Sequence, residues 1–415
     1  MTGTATQIAQ RVLAGTSAPI EPVEEALRRI EEHRELRAFI TVCAEHALER
    51  ARGELEGPLA GVPLLVKDSF DTAGIRTTVG SKVYADRVPT TSAPTVLALE
   101  AAGAVVIGKT NCDEFQWGVT GQNQFYGDVR NPTLPGCITG GSSSGNAAAL
   151  AAGIAPLAVG TDTGGSVRMP AGCCAVVGMK PRLGAVSTDG VFPLCPSFDS
   201  VGPMARTVED CALGYSVLSG AQVGDQEVAG LRVGVLTAMP ALGPDAPAPA
   251  RDERALAFAT QLEELGMHAQ EIALPVPEAD LWPVFYAEAA ATHRETFPSR
   301  REDYGDTLRA KLDAAQDVDA EALDAGRRAL ARWRERAETD TEVDVVVCPT
   351  LGVHEIPHSD VDELEIRVTF SAYTRAFSFL GWPAIAIGGV QFGAYSLATV
   401  FAVALAWERA YGPPT

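Results

Sequence analysis

From Gly61 onward the chain alternates short apolar runs (Val62 to Val66, Ala104 to Ile107, Ala155 to Val159) with Ala-rich stretches of helical character (Thr95 to Ala102, Asn146 to Ala152). A short apolar run suits a strand buried on both faces, and the Ala-rich segment between two such runs suits a helix lying over them. The alternation therefore specifies a layered α/β sheet. It resumes downstream: Leu231 to Leu236 reads as a strand, Arg254 to Leu265 as a helix ended by Gly266, and His268 to Leu274 as a strand closed by Pro275. Val343 to Val347 and Ala384 to Ile387 supply late strands, too short and too far apart to build a second domain. One domain over residues 1–415 is expected. It would have N-terminal helices in 1–60 (Thr6 to Ala14, Glu21 to His33, Ala44 to Leu55), a core in 61–220, and a charged helical cover in 280–340. Pro240 to Asp252, rich in Pro and Ala, reads as an exposed linker.

Charge narrows the partners. A formal net charge of -20 would repel phosphate backbones and anionic membrane surfaces, so direct nucleic-acid or membrane binding is not expected. Met1 to Gln10 lacks the basic start and apolar stretch of a signal peptide, and no apolar run approaches the roughly 20 residues of a membrane span. A soluble, cytoplasmic protein is implied. The eight cysteines show no C-x-x-C spacing, which suits neither a zinc site nor a disulfide framework, so they are expected to be reduced and buried, with no metal bound.

Three Gly-rich strings could carry chemistry. Gly103 to Thr110 matches the phosphate-loop pattern G-x-x-x-x-G-K-[ST], but Ala104 to Ile107 between its glycines is itself strand-like, where a phosphate loop needs flexible backbone. Gly141-Ser142-Ser143-Ser144-Gly145 fits the nucleophile elbow G-x-S-x-G, which would make Ser143 the nucleophile. An elbow follows a buried strand directly, whereas Ser143 follows a loop containing Pro and Gly. The third string, Gly160-Thr-Asp-Thr-Gly-Gly-Ser166-Val-Arg168, directly follows an apolar run. Its successive glycines let backbone N–H groups converge on one concavity, as an oxyanion requires, with Ser166 at the edge. A tight Gly-Gly turn with a capping serine would leave the same trace.

A serine needs a base, and all six histidines lie outside residues 47–267, which hold every one of these strings. Lys67 ends the run Gly61-Val-Pro-Leu-Leu-Val-Lys67-Asp68, where burial would favour its neutral, basic form. Taken alone, a lysine here is better read as pairing with Asp68 or reaching solvent.

Taken together, the strings resemble the amidase signature enzymes, which use a Ser, cis-Ser, Lys triad. The resemblance covers residues 61–220: the lysine run, Gly108-Lys-Thr-Asn-Cys-Asp-Glu-Phe115, Gly140-Gly-Ser-Ser-Ser-Gly145, Gly160 to Arg168, and Gly178-Met-Lys-Pro181. It implies that Ser166 attacks an amide carbonyl, that Ser142 bridges through a cis peptide bond, and that Lys67 is the base. It assigns the oxyanion hole to the backbone N–H groups of Thr163, Gly164, Gly165 and Ser166, and makes Asp162, Arg168 and Ser143 supporting residues. Arg168 could alternatively meet a substrate carboxylate. The implied fold is a central mixed sheet of many strands with α-helices on both sides, and no cofactor is implied.

Departures lie at Cys112, Ser144 and Met169. A further one lies in Ala384 to Tyr395, which reads as lacking the usual Gly/Pro turn and following strand. The partner implied is a small-molecule amide, and a homodimer could form through an exposed sheet or the helical cover. Two rivals stay open. One is the glutaminase component of an Asp/Glu-tRNA amidotransferase, its so-called A polypeptide, which residues 77–132 resemble; Phe192 to Gly202 and the chain length fit a stand-alone amidase better. The other is an α/β-hydrolase esterase using Ser143. Substrate-pocket walls are expected from Asp280 to Arg309 and Tyr373 to Trp382.

Overall fold

The computed structural model describes residues 3–414 apart from Asp225, Asp245 and 247–249. Among the described residues, the strands are β1 (Phe39–Val42), β2 (Pro63–Lys67), β3 (Val105–Thr110), β4 (Leu157–Asp162), β5 (Val177–Lys180), β6 (Ser200–Ala205), β7 (Arg232–Val235), β8 (His268–Glu271), β9 (Val345–Pro349), β10 (Ala384–Ile387) and β11 (Val390–Gly393). They form one mixed sheet in the order β1-β3-β2-β4-β6-β5-β10-β11-β9-β7-β8. β2 pairs in parallel with β3 and β4, and all residues of these three strands are buried, which is why they read as unbroken apolar runs.

Helices cover both faces. The early ones are α1 (Ala5–Leu13), α2 (Ile20–Glu32), α3 (Ala44–Ala51), α4 (Pro94–Ala101), α5 (Ser144–Ala151), α6 (Arg168–Cys174), α7 (Val208–Ser219) and α8 (Arg254–Glu264). The later ones are α9 (Trp282–His293), α10 (Phe297–Arg300), α11 (Asp306–Ala314), α12 (Ala320–Asp340), α13 (Glu363–Phe370), α14 (Ala372–Leu380) and α15 (Leu397–Tyr411). Strand alternation sends Val345 and Val347 of β9 into one apolar cluster, with α1, α2, α5, α7, α8 and α15. Val346 and Cys348 enter the opposite cluster, with α9, α11, α12 and α14.

Four expectations change. Residues 384–395 do not lack a strand: Ile387 pairs with Val390 across a two-residue Gly388-Gly389 turn, and β11 runs back antiparallel to β10. Gly388 takes φ +53, which a glycine adopts without steric cost. The strand read over His268 to Leu274 stops at Glu271, and the helix read to Leu55 stops at Ala51. The stretch Pro240 to Asp252 lies partly outside the described residues, and within its described part Leu242 is buried in the second cluster rather than exposed. All eight cysteines are free, and all but Cys137 are buried.

Candidate active site

β2, an inner strand between β3 and β4, delivers Lys67 fully buried at its C-terminal end. Its Nζ donates to Ser142 Oγ at 2.8 Å and to Thr161 Oγ1 at 2.8 Å. Burial pushes the Lys67 ammonium from its usual 10.5 down to about 8, and the nearby Asp113, Asp162 and Asp199 charges limit that fall. Lys109 and Lys180 are as deeply buried, yet Lys109 is held by the Phe70 carbonyl and Thr77 Oγ1, and Lys180 by the Pro181 and Trp382 carbonyls. Of the three, Lys67 is the one that meets a serine hydroxyl.

Ser142 follows a cis Gly141–Ser142 peptide bond just before α5. The next residue, Ser143, donates its backbone N–H to the Ser166 carbonyl at 3.1 Å, which ties the two serine-bearing segments together. Ser166 sits on the loop between β4 and α6 and lines a cleft together with Thr163 and Gly164.

A buried ion pair holds this loop in shape. Asp162 and Arg168, both fully buried, bond through two parallel contacts of 2.9 Å, and Arg168 also reaches Gln391 Oε1 and Ser378 Oγ at 2.6 Å each. Burial alone would raise the Asp162 carboxyl, but the Arg168 charge and its hydrogen bonds hold it below 3.8. With its donors spent inside the protein, Arg168 braces the loop and is not positioned to meet substrate. Asp162 Oδ1 also accepts the Gly165 N–H at 2.8 Å, so Gly165 has already committed the donor assigned to an oxyanion hole. Among the described residues the N–H groups of Thr163, Gly164 and Ser166 take no protein acceptor.

The alternative motifs fare differently. Gly108, Lys109 and Thr110 lie inside β3 with Lys109 engaged as above, so no anion-binding loop exists there. Ser143 is fully buried, with its hydroxyl 3.5 Å from the Thr161 carbonyl, and does not line the cleft. No histidine lines it either; His293 packs edge-on against Phe115, and burial pushes its imidazole down to about 4. Among the described residues no group of three or more His, Cys, Asp or Glu is poised to hold a metal, and no helix is long and apolar enough to cross a membrane.

A sequence profile of the Amidase family matches residues 21–395. The chain belongs to that family. It is a family of amide-hydrolysing enzymes, and the resemblance drawn from the motifs is thereby established. The chain is 43% identical over 305 residues to the A polypeptide of the glutamyl-tRNA(Gln) amidotransferase of Symbiobacterium thermophilum, a match covering 67% of this chain and 62% of that one. The chain thus spans less than two thirds of this relative's length. Among solved structures it superposes on an amidase with TM-score 0.85 at 30% identity, covering 98% of this chain and 99% of the other. It also superposes on 6-aminohexanoate cyclic dimer hydrolase complexed with substrate, with TM-score 0.85 at 28% identity over 98% and 97% of the two chains.

Several residues of this amidase-family site carried no sequence signal of their own. Thr161 shares the Lys67 ammonium and in turn bonds Gln116 Oε1 at 2.5 Å. Asp113 accepts the N–H groups of Thr120 and Gly121 beside the Gly141 turn, and burial raises its carboxyl to about 7. Thr161 stands inside the quoted string Gly160 to Arg168, and alternation along β4 could have placed it. The pocket walls come from α9 and α14, as expected, but also from Lys311 of α11, two residues past the expected Arg309, and from α13, which sequence reasoning did not single out.

Proposed function

We propose that this chain hydrolyses a carboxylic amide to a carboxylate and ammonia or an amine through an acyl-enzyme on Ser166. The observation that carries the reading is the buried Lys67 Nζ, bonded to Ser142 Oγ at 2.8 Å with its pKa lowered to about 8. Ser166 Oγ attacks the carbonyl carbon while its proton passes to Ser142 Oγ, and the Ser142 proton passes to neutral Lys67. The N–H groups of Thr163, Gly164 and Ser166 receive the oxyanion, with Gly165 retained by Asp162 as a loop anchor. The proton returns by the same route to the leaving nitrogen. Water then attacks the ester by the same relay and frees Ser166. Asp162 and Arg168 keep the loop in shape throughout.

The test is a panel of aliphatic, aryl and amino-acid amides assayed for ammonia or amine release, with intact-mass detection of an acyl adduct. Adduct formation in the parent chain and none in Ser166→Ala is expected. Turnover that survives Ser166→Ala but is lost in Ser143→Ala would overturn the assignment. A second reading, the glutaminase component of a tRNA amidotransferase, is favoured by the 43% identity to such a polypeptide. It predicts glutamine as substrate and activity that depends on partner chains.

A further inference from the structure

Four charged side chains line the cleft beside Ser166: Lys311, Glu363, Arg367 and Arg375. Lys311 Nζ bonds Glu363 Oε1 and, at 2.6 Å, the Trp117 carbonyl, so these two opposite charges cancel. Two arginine charges remain in a chain whose formal net charge is -20. Among the described residues neither arginine has a carboxylate within ion-pair distance; Arg367 reaches only Tyr286 Oη at 3.5 Å, and Arg375 donates to the Val368 carbonyl at 2.6 Å.

Arg375 is held in place from several directions. On the preceding residue of α14, Thr374 Oγ1 donates to the Gly164 carbonyl at 2.7 Å, which fixes that helix against the Ser166 loop. The Arg375 stem lies 3.7 Å from where a Cβ on Gly164 would stand, and its guanidinium sits over the Trp282 ring at 5.2 Å. The residue is 8% exposed, and its Nε has no hydrogen-bond partner among the described residues. Burial, and after it the Arg367 charge, push the guanidinium down to about 10. That Nε has almost no accessible surface, so the outer nitrogens of the guanidinium are the ones that can meet a molecule bound in the cleft.

We propose that Arg375, with Arg367 beside it, is a specificity residue that binds a carboxylate of the substrate, so that the preferred substrates are amides carrying a carboxylate a few bonds from the scissile carbonyl. The planar guanidinium fork matches a carboxylate, and stacking on Trp282 orients it. Phe285 and Phe379 wall the same cleft, which suits an apolar aliphatic or aryl spacer between the two carbonyl groups. The charge balance works against an added ammonium, since Glu363 is already taken by Lys311. Glutaramate is therefore preferred over zwitterionic glutamine. This inference rests on the amide-hydrolase reading above.

Calorimetric titration of the Ser166→Ala chain reads binding without turnover. Succinamate, glutaramate and 4-carbamoylbenzoate are compared with butyramide, pentanamide and 4-methylbenzamide respectively. At least one acid should bind roughly 10- to 100-fold more tightly than its neutral partner, the range of a charge-assisted hydrogen bond. Arg375→Gln in the same background should erase that gap and Arg375→Lys should restore part of it. Arg367→Gln, at a half-buried position, should narrow the gap and serves if Arg375→Gln does not fold. Equal affinity in all three pairs, no measurable binding of any acid, or a gap untouched by both glutamine variants overturns the proposal. A gap in binding without hydrolysis of any of the six amides by the parent chain counts instead against the amide-hydrolase reading, so the two failures separate.

Discussion

If Lys67 is the base, the acid limb of kcat/KM against pH is its titration curve in the free enzyme. With Lys67 held at about 8 rather than the usual 10.5, its neutral fraction is about 1% at pH 6, about 9% at pH 7 and about 50% at pH 8. Activity should therefore climb about 50-fold from pH 6 to pH 8 and only about twofold more by pH 10. An unshifted lysine would instead climb tenfold per unit to about pH 10. The assay is initial-rate amide hydrolysis with a substrate that does not titrate in this range. Asp113 supplies the companion perturbation, because its charge favours protonated Lys67. Asp113→Asn should move the inflection to lower pH. A flat profile from pH 6 to pH 9, an inflection near the 6.5 of an ordinary histidine, or a Lys67→Arg variant with the parent profile would refute the lysine-base argument.

Ser166→Ala and Ser142→Ala should each lower kcat by roughly a thousandfold or more, as expected for members of a unit that acts together, whereas Ser143→Ala should retain measurable turnover. Asp162→Asn leaves Arg168 buried without its counter-charge and should cost about 3–5 kcal/mol in urea denaturation. Because the Asp162 carboxyl is held below 3.8 in the folded chain, its stabilisation is complete above that value. It is lost as pH falls toward the lower folded pKa, so the stability gap between parent and variant should shrink there. Gly165→Ala places a Cβ 2.1 Å from Thr374 Oγ1 at φ +130, and both Tm and kcat should drop; a variant with parental Tm would show that α14 and the loop can separate.

Much of the site was legible because its signals are local. Lys67 closes an apolar run that folds as the fully buried strand β2, and the resemblance of the combined strings, not the run alone, marked it as the base. Ser142 and Ser166 stand in Gly-rich strings whose composition is itself the signal. β11 was missed because Gly388-Gly389 followed by four residues does not distinguish a hairpin from a loop until pairing with β9 and β10 fills both edges. Arg375 was missed for a different reason. An arginine on a helix carries no mark that its Nε will be buried without an acceptor, and its place over Gly164 comes from a helix 210 residues along the chain from that loop.

The apolar alternation determined that a sheet forms and which strands lie inside it, since burial on both faces tolerates few other residues. The Gly and Ser strings supplied candidate serines, and their joint resemblance to one family picked out Ser166 with Ser142 as the expected nucleophile and relay. Tertiary structure decided which groups meet: that Thr161 shares the Lys67 ammonium, that Asp162 claims the Gly165 N–H, and that two arginines face the cleft uncompensated. Hydrogen bonds and charge balance depend on distances of a few ångströms between segments remote in sequence, and those distances exist only once the sheet and its helical cover have packed.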